Sequence, residues 1–167
     1  SIMSCSEKKE ELTIIKEKNL EQQMIEVYNQ AMKEFERGDV IYAGRKFSEV
    51  ELLYPQSIWA SRSVLMAAYG YFSQGYYGDA INELERFLIK YKNHPQTDYA
   101  IYLLALCHYD QIIDEKKDLN EILKSKKYFE IVIRDYPNSE YALDSDYKLE
   151  FIHEIMASKE IYLAKYY

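Results

Sequence analysis

Apolar residues in this chain recur at intervals of three and four rather than in alternation, the spacing that lines one face of a helix. Ala43, Phe47, Val50 and Tyr54 share their spacing with Ser125, Phe129, Val132 and Tyr136, and Ala80, Leu84, Phe87 and Tyr91 follow the same pattern. A small residue followed by large apolar ones at helical spacing suits a helix that crosses closely over a neighbour. The pattern breaks at Gly38-Asp39, at Gly75-Tyr76-Tyr77-Gly78-Asp79, at a charged insert around Asp114-Glu115-Lys116-Lys117-Asp118, and at three prolines. These breaks predict helices over about 22–37, 40–54, 57–74, 78–92, 96–113, 121–136 and 139–157, with an eighth beginning at Ser158.

The prolines open a repeated phrase. Tyr54-Pro55-Gln56-Ser57-Ile58-Trp59-Ala60 matches His94-Pro95-Gln96-Thr97-Asp98-Tyr99-Ala100 and Tyr136-Pro137-Asn138-Ser139-Glu140-Tyr141-Ala142. Pro55 to Pro95 is 40 residues and Pro95 to Pro137 is 42. Proline cannot continue the preceding helix. The hydroxyl residue two positions on is expected to N-cap the next one by accepting a bond from an orphaned backbone N–H. Each phrase therefore reads as a stop followed by a start.

Composition agrees. Five glycines and three prolines in 167 residues leave too little turn chemistry for a sheet-rich fold, so the fold class is all-α. A net charge of -7 and a pI near 5.1 argue against nucleic acid as a partner, because Lys and Arg are diluted by Asp and Glu almost everywhere. The 18 tyrosines suit half-buried positions and peptide-contact surfaces, since the ring packs while the hydroxyl stays wet. The two cysteines, Cys5 and Cys107, form no CxxC, and His94, His108 and His153 share no i, i+4 relation. No metal, no cofactor and no catalytic constellation is expected. Cys107 and His108, in the run from Leu103, read as packed core residues, and Asp144 and Asp146 as solvated surface.

The units resemble tetratricopeptide repeats, in which two antiparallel helices pair and successive pairs stack into a right-handed superhelix. The resemblance rests on Ala43, Phe47, Val50 and Pro55, and on Ala67-Ala68, Tyr71, Gly75, Tyr77 and Ala80. The departure is a unit of 40–42 residues, longer than usual. It implies about three and a half helix pairs, with repeats at about 22–55, 57–95, 96–137 and an incomplete 139–167. The phrases from His94 to Tyr102 and from Tyr136 to Ala142, together with the ending Ala164-Lys165-Tyr166-Tyr167, resemble the BamD family of lipoproteins of the outer-membrane β-barrel assembly machine. Ile2-Met3-Ser4-Cys5 looks like the end of a lipobox, with Cys5 as the lipidated residue. Residues 1–20 then read as a tether or frayed helix, and 21–167 as one repeat domain.

That resemblance implies a non-catalytic scaffold, lipid-anchored at the periplasmic face of the outer membrane. Its expected partners are unfolded outer-membrane protein precursors, the periplasmic domains of BamA, and other subunits of the complex. Family members carry about five repeats, so the chain is expected to be an N-terminal part, with most of the BamA-contacting surface beyond it. The alternatives are a Tol–Pal-associated periplasmic coordinator or a generic peptide-binding adaptor.

Tetratricopeptide repeats present the first helix of each pair on their concave side. Counting along those helices gives an expected groove of Tyr28, Met32 and Phe35, then Arg62, Tyr69 and Phe72, then Tyr102 and Tyr109. Aromatic rings supply contact area at low entropy cost, and Arg can pair bidentately with a carboxylate. Two alternatives stay open: plain interhelical packing of the same stripe, and occupation of the groove by residues 12–20 through Leu12, Ile14 and Ile15.

Overall fold

A computed structural model describes the backbone of residues 4–114 and 118–166 and the side chains of 19–112 and 118–160. Among the described residues every regular element is an α-helix: α1 (Ser4–Arg37), α2 (Val40–Leu53), α3 (Ile58–Ser73), α4 (Tyr77–Lys90), α5 (Thr97–Asp114), α6 (Leu119–Asp135) and α7 (Ala142–Tyr166). The fold is a tetratricopeptide-like helical repeat. It divides into two compact units, residues 1–74 and 75–167. In the first, α2 packs against both α1 and α3; in the second, α4 with α5, α5 with α6, and α6 with α7 are the packed pairs.

Local chemistry sets the helix ends. Gly38 adopts φ +89°. Its N–H bonds to the Phe35 carbonyl at 3.0 Å, and the Asp39 N–H bonds to that of Glu34 at 3.0 Å. This pair of bonds is a Schellman closure, which needs a left-handed residue that glycine supplies without strain. Asp39 then caps α2 by accepting from the Tyr42 N–H at 3.1 Å.

All three Pro phrases make one turn. The N–H of Ser57, Thr97 and Ser139 bonds to the carbonyl of Tyr54, His94 and Tyr136, at 3.1, 3.1 and 3.0 Å. Proline thus occupies the second turn position, where its fixed φ is favourable. The expected hydroxyl cap holds at Ser57, which accepts from the Ala60 N–H at 3.2 Å. It does not hold at Thr97, whose hydroxyl donates to the His94 carbonyl at 2.7 Å. Ser139 accepts from the Tyr141 N–H at 3.2 Å and donates to Asp98 at 2.6 Å, linking two successive phrases.

Two helices are longer than the breaks predicted. α1 starts at Ser4 rather than near residue 22, and α7 runs past Ser158 to Tyr166 without forming an eighth helix. No Pro or Gly stands in either stretch. The Ser158 hydroxyl donates to the Glu154 carbonyl at 2.9 Å, so it is satisfied inside a continuing helix.

The repeated stripe forms the cores. Ala43, Phe47, Val50, Ala80, Leu84, Phe87, Phe129 and Val132 are each at most 1% exposed, and Ser125 is fully buried. Burying one such Phe or Leu is worth about 1.5–3 kcal/mol. Ser125 donates its hydroxyl to the Ala105 carbonyl at 3.3 Å, tying α6 to α5. The fourth stripe position ends each helix: Tyr54, Tyr91 and Tyr136 donate their N–H to Val50, Phe87 and Val132 at 3.2, 2.8 and 2.9 Å. In the first unit two glycines permit close crossings. A Cβ on Gly70 would lie 2.9 Å from the Phe35 ring and 3.0 Å from Val40, and one on Gly44 would meet the Tyr71 ring at 2.7 Å.

Candidate polypeptide-binding surface

The first unit brings the predicted positions of α1 and α3 together along one seam. Tyr28 stands half-buried between Phe47 (centroids 5.6 Å) and Trp59 (4.8 Å), edge-on to both. Phe35 stacks on Tyr69 at 6.0 Å, and Met32 packs on the core of Ala31, Ala43, Phe47 and Ala67. The exposed Arg62 lays its guanidinium over the Trp59 ring at 5.6 Å. Burial pushes the Tyr28 hydroxyl above the usual phenol range, and the positive field of Arg62 partly opposes it. Phe72 is half-buried near the end of α3. At the other end Ser57 donates to the Met24 sulfur at 3.5 Å.

Tyr102 and Tyr109 belong to the second unit, on the corresponding seam between α5 and α7. Tyr102 stacks on Tyr141 at 4.9 Å and bonds the Asp144 carboxylate through its hydroxyl. Tyr109 stands edge-on to Phe129 (5.8 Å) and Phe151 (6.2 Å), with the Lys148 ammonium over its ring at 5.6 Å. Lys148 also reaches Asp144 at 2.8 Å. Asp144 is therefore not the solvated surface residue the sequence suggested. Burial would raise its carboxyl, but the hydrogen bonds from Lys148 and Tyr102 outweigh this and hold it below the usual range. Asp146 is exposed as expected.

Tyr28, Phe35, Tyr69, Tyr102 and Tyr109 thus also pack between helices; the half-buried ones offer an edge to solvent. The principal residue that helical spacing does not place on this surface is Trp59, the aromatic of its Pro phrase. It sits between Tyr28 and Arg62 and organises that end of the seam. Its being the single Trp of the chain was the available signal. His108 is 3% exposed, its Nδ1 lies 2.6 Å from Glu121, and its ring stacks on Tyr128 at 5.8 Å. Cys107 is fully buried, and burial pushes its thiol up to about 12. Both are core residues, as expected. Cys5 lies outside the described side chains. No helix among the described residues is long and apolar enough to cross a membrane.

Within each unit, consecutive helices packed by short connections and lined by half-buried aromatics on their first helices define a helical-repeat scaffold of the tetratricopeptide type. The chain belongs to the YfiO family of outer membrane lipoproteins, whose profile matches residues 20–167. It is similar to the outer membrane protein assembly factor BamD of Caulobacter vibrioides, 31% identical over 167 residues, covering 100% of this chain and 54% of that relative. The protein of the same name from Rickettsia prowazekii is 29% identical over 141 residues, 84% of this chain and 56% of the relative. That from Neisseria gonorrhoeae is 27% identical over 151 residues, covering 84% and 57%. The chain spans about half the length of the curated relatives it matches.

Proposed function

We propose that the chain is a substrate-receiving scaffold in outer-membrane protein assembly, catalysing no reaction itself. Membership of the YfiO family over residues 20–167 carries this reading. Cys5 is the proposed lipidation site, residues 1–20 link it to the repeat domain of 21–167, and the domain works at the periplasmic face of the outer membrane. The ligands are unfolded outer-membrane precursors, and BamA with its companion subunits are the assembly partners. Tyr28, Met32, Phe35, Arg62, Tyr69 and Phe72 receive the precursor in the first unit, and Tyr102 and Tyr109 in the second.

The half-buried aromatics support this assignment, because a barrel precursor is a chain of alternating apolar and polar residues rich in interfacial aromatics. Such a segment offers side chains at every second position to a row of rings. The anchor is tested by changing Cys5→Ser in the complete protein. Membrane fractionation after a salt wash, in cells lacking the assembly partners, is expected to move the variant to the soluble fraction. A variant that stays with the membranes there rules out lipidation at Cys5.

A further inference from the structure

The first unit carries an electrostatic feature that packing does not use. Residues 52–78 contain no Asp, Glu, Lys or His in a chain with 28 acidic residues, and their single charge is Arg62. Arg37, Arg86 and Arg134 each reach a carboxylate nearby in sequence: Glu34 at 3.0 Å, Glu83 at 2.6 Å and Asp135 at 2.7 Å. Arg62 has no such neighbour within a helical turn. Among the described residues it makes no ion pair, resting instead on Trp59.

The same register in the second unit is closed. Arg62, Tyr102 and Asp144 each stand five residues after the hydroxyl residue of their Pro phrase, Ser57, Thr97 and Ser139. Tyr102 and Asp144 bond one another, and Lys148 completes the set. Among the described residues no acceptor takes a donor of Arg62. On the same face of α3, Ile58 is 76% exposed and Tyr69 is 43% exposed, so the guanidinium stands within an apolar and aromatic stripe.

We infer that Arg62, held over Trp59 beside Tyr28, is a contact for a carboxylate on the bound polypeptide, with Ile58 and Tyr69 taking its apolar side chains. The guanidinium fork matches a carboxylate in two parallel bonds, and the cation–π contact with the Trp59 indole at 5.6 Å holds it in place. No acidic side chain within residues 52–78 competes for that fork. This inference rests on the reading that the α1–α3 seam receives a polypeptide. The carboxylate comes from a chain end or from an Asp or Glu side chain.

Trp59, the single tryptophan, reports on the site directly. Three Trp-free ten-residue peptides of alternating Val, Thr and Tyr are titrated into the full chain: a free acid, its C-terminal amide, and an amide with one internal Glu. Binding is read by Trp59 emission and by calorimetry. The free acid, the Glu peptide or both are expected to bind about tenfold more tightly than the plain amide, and the pair of results names the source of the carboxylate. Arg62→Gln is expected to remove that advantage, bringing the three peptides to one affinity; Arg62→Lys retains part of it. Equal binding of all three peptides to the unaltered chain overturns the inference but leaves the polypeptide-binding reading standing. So does an equal loss of all three in Arg62→Gln. No binding of any peptide by either method overturns both. Arg62 is exposed, so its variants keep the fold, which thermal melting verifies.

Discussion

The Tyr102 hydroxyl bonds the Asp144 carboxylate across 42 residues of sequence, joining the first helices of two successive repeats. Lys148, one turn after Asp144 on α7, reaches the same carboxylate at 3.0 and 2.8 Å. A tyrosine, an aspartate and a lysine that look unrelated along the chain thereby form one polar link over the aromatic seam.

Asp144→Asn is expected to cost about 1 kcal/mol at neutral pH, allowing for the solvent that still reaches the carboxylate. The folded-state pKa of Asp144 is depressed, so its contribution is present above the unfolded value of 3.8 and is lost as pH falls through the folded value. The variant and the parent should therefore differ in urea midpoint at pH 7, and the difference should shrink as the pH falls below 3.8. A difference that persists undiminished in acid would assign the cost to packing instead.

Gly70→Ala sets two effects against each other. Alanine gains about 1 kcal/mol of helix propensity over glycine, but its Cβ would stand 2.9 Å from Phe35 and 3.0 Å from Val40, on two different elements. Overpacking of this kind costs about 1–3 kcal/mol. A net loss of about 1 kcal/mol is expected, with a lower melting temperature and a changed near-ultraviolet dichroism from the Phe35–Tyr69 stack. At Gly44 the obstacle is the hydroxyl end of the Tyr71 ring, which itself packs against the core of Ala31, Ala43, Phe47 and Ala67. Gly44→Ala should therefore also lower the melting temperature.

Cys107 should be chemically silent in the folded protein. It is fully buried and burial raises its thiol to about 12, so thiolate is scarce at pH 8. In a Cys5→Ser background, labelling by iodoacetamide at pH 8 is expected only at the rate of unfolding, and to become fast in denaturant. Fast labelling under native conditions would show that α5 opens locally.

Much of the architecture is legible in the sequence. The stripe from Ala43 to Val50 and its two copies predicted buried faces, and those faces are buried, because one-sided burial at helical spacing is a local property of the chain. The turns at Gly38 and at the three prolines were equally readable, since they follow from the φ preferences of single residues. Helix lengths were less so. α1 and α7 extend because nothing in their sequences stops them, and a charged or serine-bearing stretch is not a breaker when its polar groups are satisfied within the helix.

The sequence alone determined that the chain is a series of helices, which face of each is apolar, and where most connections turn, since periodicity and backbone preference act over a few residues. Only the tertiary structure decided what the polar and aromatic residues on the outer faces do. Arg62 and Asp144 occupy one position of the repeat and are equally charged in magnitude, yet one lies on an indole without an acid and the other is tied to a phenol and an ammonium. That difference depends on which side chains a neighbouring first helix brings within a few ångströms, and distances of that kind between residues some forty positions apart are set by packing.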